Sequence, residues 1–272
     1  MNKRKLTLAI CICVATVIIL SGCSNTAHLV TPSNNNTSNT QSTTLYIPTV
    51  SLSAGGKEIA KKNEKVLNVK TEELHQPTDT DTNPTDNRTL RIDKDENRYY
   101  FQENKLVTYI LNFSDYSKQN SIQASEKLNA EELEKICRQV YDAYKHNLSH
   151  PEKYRLYFSL SDSGSGIAEF NYIYNGIKTN DWVGIYILPN GTISSIHFED
   201  SGFFENLTVP EFNKSDIEAI LENDLASKGI SLSDLTIYSE QLDYDKDTQS
   251  FSMEYILKDR NGERTDISIP IE

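Results

Sequence analysis

Residues 177–196 read IKTNDWVGIYILPNGTISSI, and this stretch decides the fold more than any other part of the chain. Two runs rich in β-branched and aromatic residues, at 182–188 and 192–198, predict strands. Asn190-Gly191 separates the runs and is a strong hairpin signal, because both central positions of a type I′ turn require a positive φ. The sequence therefore predicts an antiparallel hairpin here.

A predicted helix and further strands precede this hairpin. Asn129 is expected to cap the helix, because Glu132 three residues later completes a capping box. Strands are predicted at 154–160 and 167–177, and earlier ones at 90–92, 99–101 and 106–113. The helix is expected to end at His150-Pro151, after apolar residues at helical spacing: Leu133, Ile136, Cys137, Val140, Tyr141, Tyr144 and Leu148.

The same order of elements recurs after the hairpin. Ser215 with Glu218 predicts a second capping box, and Gly229 is placed to end the helix. Strands are then expected at 235–242, 250–258 and 265–271. We therefore expect an α+β protein with two helix-plus-antiparallel-meander units, 88–205 and 206–272, each with its helix on one face of a sheet.

The quoted stretch resembles the closing hairpin of PepSY-like domains. Those domains commonly show a hydrophobic-Asp-x-hydrophobic strand, here around Asp181, then an Asn-Gly or Asp-Gly turn and a returning strand. The resemblance covers the first helix and meander and recurs more faintly after Ser215. It implies a PepSY/cystatin-like fold and an extracytoplasmic module that modulates peptidases or other envelope proteins by binding.

The N-terminus has the order of a secretory signal. Three cations, Lys3, Arg4 and Lys5, precede an uncharged apolar run at 6–20. As a helix this run would measure roughly 22 Å, which is short for a hydrocarbon core of about 30 Å. The pattern favours export over a permanent membrane-spanning helix.

The apolar run ends in Leu20-Ser21-Gly22-Cys23, which resembles the lipobox of bacterial lipoproteins. The resemblance implies that Cys23 receives a diacylglyceryl group and that the signal peptide, 1–22, is cleaved between Gly22 and Cys23. The chain is then expected on the extracytoplasmic face of the cell membrane, held by lipid. The alternatives are an ordinary signal peptide followed by a chance cysteine, or an uncleaved anchor.

Residues 23–87 are expected to be a lipidated cysteine followed by a mostly disordered polar linker. Residues 24–44 are dominated by Ser, Thr and Asn, and 76–87 are rich in turn-forming residues. The intervening part is ambiguous, with a possible short strand at 45–52 and weak helical periodicity at 57–74. A coil of this length would hold the folded part away from the membrane.

The composition excludes some classes of partner. The net charge is −12, and removal of the leader would leave 24 basic against 39 acidic residues. Nucleic acid is therefore not an expected partner, because phosphate binding needs a basic face. Outside the leader and the lipobox only Cys137 remains of the four cysteines, so no disulfide pair is available and a small buried side chain is expected.

The sequence nominates no catalytic, cofactor-binding or metal-binding residue. The acidic run at 79–83 lacks the glycine of a calcium loop, because Pro84 stands in its place. His146 and His150 have helical spacing, but Pro151 breaks the turn that would bring them together. Residues 163–166 lack the frame of a nucleophile elbow. We therefore expect a protein that is not an enzyme; the alternative is an envelope hydrolase with a site dispersed in sequence.

Aromatic residues give the one candidate site besides the lipid anchor. Tyrosine suits half-wet interfaces, and four aromatic residues of the central strands could form one surface for a partner: Tyr172, Tyr174, Trp182 and Tyr186. The alternative is packing within the sheet. The expected function is a membrane-anchored, non-catalytic binding or regulatory module for a cell-envelope protein.

Overall fold

The computed structural model describes residues 51–77, 88–112 and 127–271, and these residues form a mixed α+β fold. The helices are α1 (Ala54–Leu67), α2 (Ala130–Tyr144) and α3 (Lys214–Ser227). The strands are β1 (Thr89–Ile92), β2 (Arg98–Gln102), β3 (Lys105–Ile110), β4 (Tyr154–Leu160), β5 (Gly166–Tyr174), β6 (Ile177–Ile187), β7 (Ile193–His197), β8 (Thr236–Asp245), β9 (Ser250–Lys258) and β10 (Arg264–Ile271). The predicted class and most predicted strands are confirmed.

These strands form one mostly antiparallel sheet with β6 at its centre. The order is β1-β2-β3-β7-β6-β8-β9-β10, and β5 also pairs with β6 while β4 pairs with β5. The link from β6 to β8 is a single parallel pair, Thr179 with Leu242. Asn180 reinforces it, since its amide donates to the carbonyl of Tyr244 at 3.0 Å and its oxygen accepts from the Tyr244 N–H at 3.1 Å. The two predicted units, 88–205 and 206–272, therefore share one sheet.

The two parts also share one hydrophobic core. α2 contacts β5 and β6, and the Tyr141 ring stacks on Phe170 with centroids 4.0 Å apart. α3 contacts β10 and buries Ile217, Leu221 and Leu225. Burying a leucine stabilises a fold by about 1.5–3 kcal/mol. The core therefore joins the helices to one side of the sheet.

The helix ends follow the predicted signals, with one correction. Asn129 and Glu132 form the predicted capping box of α2. The cap of α3 is Asn213 and not Ser215, because the helix begins at Lys214 and the Asn213 side chain accepts from the Ser215 N–H at 3.1 Å. Gly229 ends α3 as predicted; its φ is +73°, and Ile230 N–H donates to Leu225 in a Schellman arrangement.

Residues 51–77 are folded, which corrects this part of the linker predicted at 23–87 and agrees with the weak helical periodicity at 57–74. They contain α1, whose N-cap is Ser53, and the Ser53 N–H donates to Glu132 of α2 at 2.8 Å. Asn63 is buried; its amide donates to the Gly191 carbonyl at 2.8 Å, and its oxygen accepts from the Ile193 N–H at 3.3 Å. A polar side chain therefore fixes this helix to the β6–β7 turn. Apolar periodicity cannot indicate such a contact.

The β6–β7 turn differs in type from the prediction, and a second turn interrupts the strand predicted at 167–177. The β6–β7 hairpin is antiparallel as predicted, but only Gly191 has a positive φ, +86°, so the turn is not type I′. Pro189 fixes φ near −65° at the second turn position, which suits a type I turn followed by glycine. Asn175 and Gly176 have φ of +48° and +84° and form the turn between β5 and β6, inside the strand predicted at 167–177.

Among the described residues, no helix combines the length and the apolar character that crossing a membrane requires. The predicted leader at 1–22, the cleavage site at Gly22, the lipid attachment at Cys23 and the acidic run at 79–83 lie outside the described residues.

Candidate functional site

The strand alternation separates the four aromatic residues that were expected to form one surface. Along β6, Asp181, Val183 and Ile185 are buried, while Trp182 and Tyr186 point to the opposite face and are half-buried. Tyr172 and Tyr174 of β5 instead face the core and pack near Phe204, with ring centroids 5.9 and 6.2 Å away. Trp182 and Tyr186 therefore remain as candidates, and Tyr172 and Tyr174 serve packing.

Gly184 allows the Trp182 ring to lie across its own strand. A Cβ atom on residue 184 would stand 1.9 Å from Cζ3 of Trp182 and 2.8 Å from Cη2, which no side chain can do without displacing the ring. The φ of Gly184 is not positive, so the backbone conformation does not call for glycine here. The requirement comes from the indole, which covers the strand at this point.

His197 of β7 extends this aromatic surface across the sheet. It pairs with Gly184 in the strand register, and its ring centroid lies 6.3 Å from that of Trp182. Tyr186 meets the imidazole edge to face, at 5.7 Å and 86°. We call Trp182, Gly184, Tyr186 and His197 the outer-face patch.

Carboxylates flank the outer-face patch. Glu199 accepts a hydrogen bond from the Thr108 hydroxyl and lies 3.3 Å from Nδ1 of His197. Burial acts to raise the pKa of Glu199, but the hydrogen bonds from His197 and Thr108 outweigh it and hold the pKa below its usual value. Glu169 lies opposite Gly184 on β5 and binds Lys178 at 3.0 Å. Carboxylate side chains therefore border the aromatic rings.

Thr108, His197 and Glu199 are not arranged as a hydroxyl-imidazole-carboxylate triad. The Thr108 hydroxyl donates to the Glu199 carboxylate, whereas in such a triad the hydroxyl is bound to the imidazole. The described residues contain no group of three or more His, Cys, Asp or Glu side chains placed to hold a metal ion.

Two other features do not add to the site. Cys137 is fully buried in α2, as predicted, and burial raises the pKa of its thiol well above the usual value. A shallow depression of about 320 Å³ lies beside the β5–β6 turn. The one cation in its lining, Lys214, is bound to Glu240 at 2.6 Å, so the depression offers no free charge to an anion.

Asp181 precedes Trp182 in β6 and is buried on the core side of the strand. The sequence alone indicates only its place in the strand motif. Its Oδ1 accepts from the Tyr154 hydroxyl at 2.5 Å and from the Gly202 N–H at 3.0 Å, and its Oδ2 accepts from the Phe204 N–H at 2.7 Å. Burial raises the pKa of this carboxyl despite the three donors. Asp181 therefore holds the segment 202–204, which follows β7, against the core side of β6, the strand that carries Trp182 and Tyr186.

Replacing Gly184 by alanine is expected to push the Trp182 ring off the strand. Trp182 is the only tryptophan of the chain, so its emission reports this change directly and should move to longer wavelength as the ring enters water. Overpacking of this kind costs about 1–3 kcal/mol of stability. Gly55→Ala is the control, because a Cβ there meets nothing within 4 Å; an emission shift of equal size in the control would contradict the assignment.

Comparison of the chain with protein-family models, with curated protein sequences and with solved structures gives no match. The geometry of the site is that of a strand pair that presents an indole, a phenol and an imidazole next to one another, bordered by carboxylates.

Proposed function

We propose that this chain is a lipid-anchored binding module of the cell envelope, which holds a segment of an envelope protein against the outer-face patch. The observation that carries the proposal is the Trp182 ring lying over Gly184, next to Tyr186 and His197. A side chain larger than hydrogen at position 184 would displace the ring, so the glycine permits the close approach of the indole to the strand.

The chemistry of the patch suits a protein ligand. Tryptophan and tyrosine bury large areas at little conformational cost and keep a polar end in water, which is why they are enriched at interfaces. The patch lies on paired strands whose backs contact the core, so binding would not have to order it first. These features support a preformed contact surface.

The charge of the chain indicates the character of the partner segment. The net charge is −12, and Glu199 lies beside the patch, while the nearby Glu169 is paired with Lys178 at 3.0 Å. A cation over an aromatic face gains about 0.5–2 kcal/mol, and the negative charge of the chain adds to the attraction. A segment with basic side chains is the expected ligand, and its association should weaken as salt is added.

The lipid anchor supplies the location in this proposal. The lipobox pattern at Cys23 and the polar residues that follow it would place the described fold outside the cell, within reach of envelope proteins.

Site-specific photo-cross-linking in living cells tests the proposed binding. A photoreactive phenylalanine analogue is placed at Tyr186, and the matched control carries it at Tyr238, a tyrosine of β8 that is 52% exposed. We expect the Tyr186 probe to label one envelope protein that the Tyr238 probe does not label. Trp182→Ala should reduce the labelling at least tenfold, since losing a central aromatic contact costs about 2 kcal/mol or more.

Two results would contradict the proposed function. One is equal labelling from both positions, or labelling that Trp182→Ala leaves unchanged. The other is hydrolysis of envelope peptides or glycans by the purified chain that is lost in Glu199→Gln, which would favour the hydrolase alternative.

A further inference from the structure

β4 is an edge strand with exposed apolar side chains. It pairs with β5 on one side, and no strand among the described residues pairs with its other side. Tyr157 is 43% exposed and Leu160 is 44% exposed. A long edge of this kind is a template for pairing with another chain unless the sequence protects it.

Alternate residues of β4 point their backbone N–H and C=O groups away from β5. The Ser161 N–H donates to the Ser165 carbonyl at 2.8 Å, which places this pair in register with the β4–β5 ladder. Since hydrogen-bonded and non-hydrogen-bonded pairs alternate, residues 155, 157 and 159 bond to β5. Leu156, Phe158 and Leu160 therefore point their N–H and C=O groups away from the sheet, and Tyr154 does so with its C=O, because its N–H donates to Pro151.

Another edge strand of the sheet, β10, carries residues that protect it from pairing. β10 carries Pro270, which has no N–H, and exposed charges at Arg264 and Asp266. Proline and charge on an edge strand discourage pairing. β4 has no proline and a single charged residue, Arg155.

We propose that β4 is the interface for a second copy of this chain, which pairs with it in antiparallel fashion about Tyr157. In this register Tyr154 lies opposite Leu160 of the second copy, and Leu156 lies opposite Phe158. Every outward-pointing residue then meets another outward-pointing residue, so the free backbone groups of both edges are used except the Leu160 carbonyl, because the Tyr154 N–H opposite it already donates to Pro151. Apolar side chains on the core side meet apolar side chains.

The charges agree with this register. Arg155 faces Ser159 of the second copy, so no like charges stand directly opposite within the strand pair. Arg155 is also diagonal to Tyr157 of the second copy, where a cation can lie over the ring. The two Tyr157 side chains form a non-hydrogen-bonded pair, in which side chains are closest.

The area that the proposed strand pair buries indicates how tightly the two copies associate. A pair of seven-residue strands buries less than the roughly 1,600 Å² of a standard stable interface, so the expected dimer is reversible. The two-fold axis runs through the sheet, so both outer-face patches lie on one side and could engage one partner together. The proposal does not depend on that ligand, since the patch lies on β6 and β7 and the edge is β4.

Cysteine cross-linking of the full-length chain in membranes tests the register. In Tyr157→Cys the two thiols face each other at a Cα separation of about 4.5 Å, within the range of a disulfide. We expect a disulfide-linked dimer from Tyr157→Cys alone, and from co-expressed Arg155→Cys and Ser159→Cys, but not from Arg155→Cys alone. Tyr238→Cys is the matched control, and the parent chain with its own cysteines gives the baseline.

A cross-link from Tyr157→Cys no stronger than that of Tyr238→Cys would overturn the proposal, as would equally strong cross-linking by Arg155→Cys alone. Disulfides to a different protein would also overturn it, because they would assign this edge to another partner.

A second measurement avoids added thiols. In Tyr157→Lys the new ammonium groups would face each other across the dimer, while in each single copy Glu169, directly opposite residue 157 on β5, can pair with the new ammonium group and preserve the fold. Light scattering of the full chain in detergent should show a dissociation constant at least tenfold higher than that of the parent. An unchanged constant, or a parent chain that stays monomeric at high concentration, would overturn the proposal.

Discussion

Asp181→Ala is expected to destabilise the fold by about 3–5 kcal/mol. The change removes the acceptor of three hydrogen bonds and leaves the Tyr154 hydroxyl and the Phe204 N–H without their partner in the interior, while the Gly202 N–H keeps a second acceptor, the Tyr154 hydroxyl oxygen, at 3.0 Å. Unpaired buried polar groups each cost about 1–3 kcal/mol, and part of this cost returns when water enters the space. Urea unfolding followed by Trp182 emission and circular dichroism measures the loss.

The control is Asp200→Ala, which removes a carboxylate of the same kind from the surface. Asp200 binds Lys246 at 3.0 Å, and both side chains are exposed, so a loss below about 1 kcal/mol is expected. Asp181→Asn keeps one of the two oxygens, which can serve either the donors on Oδ1 or the Phe204 N–H on Oδ2, and should fall between the two. Similar losses in Asp181→Ala and Asp200→Ala would show that the buried network does not stabilise the fold as argued.

Much of the fold could be predicted because local patterns agree with the final structure. The α2 stripe, its capping box and the β-branched runs each depend on residues within one element, and the structure contains these elements near the predicted positions. The same holds for Gly229, whose positive φ ends α3. These features need no knowledge of distant contacts.

Some features depend on contacts between distant parts of the chain. α1 overlaps the weak helical periodicity at 57–74, but it is held by Asn63, whose partners Gly191 and Ile193 lie well over a hundred residues away, and an isolated asparagine gives no periodic signal. The turn at Asn175-Gly176 is different, because its signal is local: it is the same Asn-Gly pair that marks the hairpin at 190–191, and both of its residues have a positive φ. Joining the two units through Thr179 and Leu242, by contrast, depends on a pairing that sequence alone does not specify.

The candidate site was predicted in part for a similar reason. Alternation within β6 places Trp182 and Tyr186 on one face, and this could be read from the sequence. Whether Tyr172 of β5 shares that face depends on register, and the register shifts between Asn171 and Ile173. The role of Gly184 emerges only when the indole above it is seen. His197 joins the patch through strand pairing and had no local signal.

Cys23→Ala is expected to release the protein from the membrane. Each buried CH₂ of an acyl chain contributes about 0.8 kcal/mol, and two chains hold a protein far more firmly than one, so losing the attachment should move most of the chain to the soluble or secreted fraction. Cys13→Ala is the matched control, because it removes a cysteine of the same leader that lies outside the lipobox. Fractionation of cells and mass spectrometry of the N-terminus measure the outcome.

The same variant separates anchoring from folding. The described fold begins at residue 51, so Cys23→Ala should leave the unfolding midpoint and the Trp182 emission unchanged while the location changes. The proposed partner contact should then weaken through the lost membrane confinement and not through damage to the outer-face patch. An intact leader in the mature protein, or equal membrane retention of Cys23→Ala and the parent, would contradict the anchor, and the outer-face patch would then have to be explained without it.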